Sequence, residues 1–313
     1  MKKLFLTTLI LATSSFAQTS LNSILEHVSV PNVNKSIEVA KQIKQNPTAQ
    51  NFTKLVKNWK KVEAMYFAGK IDEDYIDTPR YIDVYHNLKE DLHKQIKRAL
   101  DSGDKPRIAL FKNSFRTINA LEYVLFNDDK ITKREKLFAN MILDTIISNL
   151  EDIQGVYKNY LNSTSKGEKW ENSMIMNTLI SSSYKLREWR IGEPAGLATK
   201  YKGEKDNSRA EYYLSKNSKN AIEAILNAHE EVIGDKEYKN FATMAKNAGA
   251  SESISAAQEA LKATQEKLHL IKNDDFSNAK ELFDAAKDFH NAYYLSLITD
   301  LSITAKILDA DGD

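Results

Sequence analysis

The chain has 313 residues, 28% of them charged, with a formal net charge of +1. So even a balance gives no reason to expect a nucleic-acid partner, and the absence of cysteine excludes disulfides and a lipoprotein anchor. Without cross-links the fold must rest on a large core, and the length suffices for two ordinary domains. Lys2 and Lys3, the apolar run 4–12 and Ser15-Phe16-Ala17 read as a secretory leader cleaved before Gln18. The run is too short to span a membrane, and no later run is long and apolar enough. Loss of the two lysines moves the charge from +1 to about −1. The expected location is the periplasm.

Helical periodicity covers residues 33–46 and stops before Pro47. Thr48 caps a helix to about residue 68, with Gly69 as its stop. Residues 71–77 are acidic and irregular. Thr78-Pro79 then opens a helix to about residue 102. Asp104-Lys105-Pro106 opens the helix that carries Glu122, closed by Asn127-Asp128-Asp129. Thr132 and Glu135 form a capping box for a long helix to about residue 161. The clearest break is NSTSKG, residues 162–167. A helix over 170–189 leads into an ordered loop, 191–207, holding Gly192, Pro194, Gly196 and Gly203. Helices follow over 208–233, 236–248, 251–272 and 277–309. No segment alternates with a period of two, so the fold class is all-α. Four or five helices on each side of the break predict two up-and-down bundles packed together, residues 18–165 and 166–313 behind the leader 1–17. A single elongated bundle is the alternative.

Two stripes of side chains single themselves out. Phe111, Phe115, Ile118, Glu122 and Leu125 are spaced to share one side of a helix, and so are Phe52, Val56, Trp59, Glu63 and Tyr66. A carboxylate on a core-facing stripe is costly unless a cation or hydrogen-bond donors meet it. Glu122 and Glu63 are therefore the leading candidates, with Asn119 beside Glu122 and Arg116 a turn and a half earlier. The competing reading makes each a buried carboxylate satisfied by a neighbouring helix. Arg187, Arg190 and Glu193 flank the Gly/Pro loop, where ligand contact and a rigid capped turn weigh equally. Asp83, His86 and His93 form a possible ligand row, for which a solvated face is preferred. His229 and His290 lie on apolar faces and read as core residues. There is no H-E-x-x-H, G-x-S-x-G or phosphate-binding glycine loop.

Thr117-Ile118-Asn119-Ala120-Leu121-Glu122 resembles the G-x-H-x-x-E segment of imelysin-like proteins. The run 189–197, with Gly192, Pro194 and Gly196, resembles the family's Lys-Ile-Gly-x-Pro-x-Gly turn. Glu211, Ser215 and Ser218 resemble its E-x-x-x-S-x-x-S helix start, and the chain ends Asp311-Gly312-Asp313 as many members do. The motif glycine is Thr117 here and the motif histidine is Asn119; only Glu122 is retained. The resemblance implies an exported binding protein linked to bacterial iron uptake, working with membrane iron-uptake components. A small ligand or metal ion, iron or another divalent cation, would be its cofactor or cargo. The polar site would lie between two bundles and draw on Arg116, Asn119, Glu122, Glu63, Arg190 and Glu193, with Glu122 as the metal ligand. A metallopeptidase is the alternative, and a non-catalytic structural or adaptor protein the second. Replacement of the histidine by Asn119 tilts the balance away from an enzyme, because an amide is a poor ligand beside an imidazole.

Overall fold

The computed structural model describes residues 19–85 and 91–304, and all regular structure among them is helical. The leader, His86 and the Asp311–Asp313 terminus lie outside the described residues.

The Val30–Gln45 helix packs along both Ala49–Ala64 and Lys133–Leu161. Pro47 separates the first two, and the Thr48 side chain accepts from Asn51 N at 3.2 Å, the expected N-cap. Ala49–Ala64 turns its other side to Ser218–Ile233, which packs on Ser251–His269, which in turn meets Lys280–Asn291. Glu168–Lys185 lies against Lys280–Asn291 and the Ser20–Ile24 turn. The core runs through these contacts, from Phe52 and Trp59 to Phe138, Phe241 and Phe289, all fully buried.

Several predicted helices are shorter, each for a visible reason. The helix opened by Thr78-Pro79 ends at Ile82 and does not continue to residue 102. Asp83 is extended instead (φ −146°, ψ 126°), because its carboxylate is drawn inward and its Oδ1 accepts Tyr85 N at 2.9 Å. A separate helix, Leu92–Asp101, starts under an Asp91 cap. The helix carrying Glu122 spans only Ile118–Phe126, because Thr117 serves as its N-cap. Pro106–Ala109 and a 3₁₀ turn, Asn113–Arg116, precede it, and Phe111 is 68% exposed instead of joining the stripe. Asn207–Arg209 is a 3₁₀ turn and residues 210–217 are irregular, so the following helix starts at Ser218. The Thr132–Glu135 capping box is present as read.

The loop after residue 191 is ordered as predicted, but it begins inside a helix. Leu186–Gly192 is a π-helical segment continuing Glu168–Lys185, and it runs directly into Glu193–Ala195. Gly196 ends that turn at φ +65°, and a Cβ there would lie 2.8 Å from the Glu204 carbonyl carbon. Gly203 N donates back to Gly196 O at 2.8 Å, doubling the chain on itself.

Candidate functional site

Three irregular pieces of backbone meet one regular helix to make the site. From Ala49–Ala64 come Trp59, Lys60 and Glu63, spaced to share a face. The non-helical residues after Ile82 supply Asp83 and Tyr85. The π segment supplies Arg190, since the extra residue per turn rotates its side chain away from the regular helical face. Glu211 and Tyr212 come from the turns before Ser218, with Tyr212 at φ +57°. A bulky residue in that region is strained and is held there by its surroundings.

Lys60 is fully buried and donates to all three acidic groups. Its Nζ lies 2.8 Å from Glu63 Oε2 and 2.6 Å from Asp83 Oδ2, and it also donates to Glu211 Oε1. Arg190 closes the other side, Nε to Glu211 Oε2 at 2.7 Å and Nη2 to Glu63 Oε2 at 2.8 Å. Asp83 Oδ2 also accepts from Trp59 Nε1 at 2.9 Å and from the Tyr212 hydroxyl at 2.7 Å. The two cations sit over rings, Lys60 above Tyr212 and Arg190 above Tyr85.

Two cations face three carboxylates, so one negative charge is in excess when all are ionised. The carboxylates divide accordingly. Burial opposes ionisation of Asp83, but Lys60 and the Tyr212 hydroxyl hold it well below the usual range. Burial likewise opposes ionisation of Glu63, and Arg190 and then Lys60 outweigh it. Glu211 carries the excess: burial lifts it to about 7 against the pull of Arg190 and Lys60. Lys60 is itself held protonated, as Asp83, Glu211 and Glu63 overcome its burial.

Glu122 and Asn119 flank this cluster. Glu122 Oε1 accepts from Ser215 N at 2.8 Å and Ser215 Oγ at 2.7 Å. No cation pairs with it among the described residues, and burial raises it to about 7, with the Glu211 and Asp83 charges adding to the rise. Asn119 Oδ1 accepts from Val84 N at 2.8 Å, pinning the backbone next to Asp83. Asn119 thus fixes the loop that delivers an acid to Lys60.

Of the six predicted site residues, the structure brings Glu63 and Arg190 into direct contact and sets Asn119 and Glu122 alongside. Glu193 is buried close enough to Tyr85 for its charge to help raise that phenol. Arg116 lies elsewhere, donating to Phe111 O at 3.4 Å in a surface groove. Glu122, expected as the metal ligand, is not among the residues that can jointly hold a cation; among the described residues that group is Glu63, Asp83 and Glu211. The solvated-face reading of Asp83 is corrected: the residue is 6% exposed. His93 lies in Leu92–Asp101 with its ring tilted 31° against Tyr123, centroids 5.1 Å apart, whereas Asp83 sits in the extended stretch after Ile82. His229 and His290 are core residues, bonded to Ser182 and Tyr293 and to Ser183. Lys60 and Tyr212 carried no sequence signal strong enough to single them out. Lys60, three residues before Glu63 and four after Val56, was the one legible hint.

An all-helical chain with a buried acid–base cluster, assembled from segments on both sides of residue 165, is the class that fold and site define. The imelysin (peptidase M75) profile matches residues 29–303, and the chain belongs to that family. Among solved structures it is similar to an imelysin-like protein from Psychrobacter arcticum 273-4, with a TM-score of 0.73 at 16% identity, covering 91% of this chain and 95% of that one. It is also similar to a candidate iron-regulated protein A precursor from Parabacteroides distasonis ATCC 8503, with a TM-score of 0.69 at 11% identity, covering 90% and 94%. No curated protein matches the chain.

Proposed function

We propose that this chain is an exported, non-peptidase member of the imelysin family that serves iron acquisition as a periplasmic binding component. The observation that carries the non-peptidase reading is the seat of Lys60. Its ammonium donates to Glu63, Asp83 and Glu211, the three groups positioned to hold a cation. A catalytic metal needs about three protein ligands and one open position. Here Lys60 and Arg190 already hold those ligands, and a divalent ion beside both cations would leave the cluster with an uncompensated positive charge. Asn119 removes the imidazole that the family motif would contribute.

The iron association rests on the resemblance to the family and on the description of the Parabacteroides neighbour as iron-regulated. The ligand surface would lie where Glu63, Arg190 and Glu193 approach the junction of the two halves, Glu63 being the cluster's most exposed member at 24%. Peptide-library cleavage with and without added zinc or ferrous iron is the direct test. The expected result is no metal-dependent cleavage; cleavage that disappears in Glu122→Gln overturns the reading. Deletion of the gene should slow growth under iron limitation alone, and equal growth sinks the iron association.

A further inference from the structure

A second region, remote in chemistry from the buried cluster, carries unmatched positive charge. Lys105, Arg107 and Arg116 line one wall of a groove of about 710 Å³ whose other wall is the exposed face of Lys133–Leu161, including Leu137, Met141 and Asp144. Asp144 is the one carboxylate in that lining, and it is already paired with Lys44. Lys105 and Arg107 have no ion pair among the described residues. Arg116 Nε is buried without a hydrogen-bond partner.

Bulky apolar side chains stand around the same cations. Leu137, in the groove wall, is 57% exposed; Ile108 and Phe111, just outside it, are 61% and 68% exposed. Ile108 follows Arg107 in the short Pro106–Ala109 helix, and Phe111 gives its carbonyl to Arg116. A peptide seated in the groove would satisfy the cations but leave Ile108 and Phe111 in water. A flat anionic surface with an apolar interior takes both.

We infer that this face is a peripheral docking surface for an anionic phospholipid bilayer, with Ile108, Phe111 and Leu137 entering the interface and Lys105, Arg107 and Arg116 meeting phosphate headgroups. None of the described helices is long and apolar enough to cross a membrane, so the attachment is superficial and reversible. The inference does not rest on the non-peptidase reading.

Flotation of the full chain with vesicles tests it. The protein should float with phosphatidylcholine vesicles that contain phosphatidylglycerol, should not float with phosphatidylcholine alone, and should be released by salt. Lys105→Glu with Arg107→Glu should weaken partitioning at least about fivefold, one cation near such a surface being worth about that factor. Ile108→Ser with Phe111→Ser should weaken it without altering its salt dependence. All four positions are on the surface, so unchanged circular dichroism and thermal midpoint identify the loss as one of binding. Absence of flotation on anionic vesicles, or flotation that neither pair changes, overturns the inference. Preferential binding to polyglutamate also overturns it and reassigns the face to an acidic polypeptide.

Discussion

Replacing Lys60 with methionine keeps most of the side chain's length but leaves Glu63, Asp83 and Glu211 facing one another with only Arg190 beside them. Removing one partner of a buried ion cluster costs about 3–5 kcal/mol, so denaturant unfolding at neutral pH should show a loss of that order. Manganese should restore part of it in Lys60→Met, where a divalent ion plus Arg190 balances three carboxylates, and should not stabilise the wild type. Equal stabilisation of both would mean that Lys60 does not hold the cation position. Glu122 gives a pH signature instead. Its carboxyl moves from an ordinary 4.5 to about 7 in the folded chain. The folded state therefore keeps the proton through that window while the unfolded chain releases it, and stability falls as pH rises from about 4.5 to 7. The shift corresponds to about 3 kcal/mol, and Glu122→Gln should flatten the slope by that amount in urea midpoints measured across the window. At this scale Glu63, Arg190, Asn119 and Glu122 were legible because apolar stripes and motif spacing frame them. Asp83 was read only in a row with His86 and His93, because the helix was expected to continue past Ile82, and Tyr212 was not legible, because its φ of +57° is one that local preference opposes.

Helix boundaries divide in the same way. The Thr132–Glu135 box was readable since both halves of the cap lie within four residues of each other, and the bonds it makes are local. Thr132→Ala should cost about 1 kcal/mol in thermal or chemical unfolding, a cap being worth that much. The end of the helix at Ile82 was not readable, because Lys60, distant in sequence, draws the Asp83 carboxylate inward. Likewise the π segment at Leu186–Gly192 reads as ordinary helix in sequence, and only its register presents Arg190 to Glu211. Gly196 sits between these cases: its place in a Gly/Pro run announced a turn, and its φ of +65° beside Glu204 shows why. Gly196→Ala should lower stability by about 1–2 kcal/mol, the cost of a left-handed residue, and more if Glu204 cannot shift. The check is a denaturation midpoint at fixed pH.

Across the whole molecule, the cluster ties residues 60–83 to residues 190–212, so the long segment between them is closed by charge as well as by the apolar core. Export, a division at residue 165 and a role in iron acquisition remain proposals resting on the leader, the NSTSKG break and the resemblance. The sequence by itself determined the all-helical class, the family and most of the acidic and basic candidates. Those depend on period, capping and motif order, which are properties of neighbours along the chain. Tertiary structure alone decided which charges meet, that a lysine occupies the place open to a metal, and that Arg116 faces a separate groove. A buried charge is stable only with its partners in place, and those partners come from segments far apart in sequence.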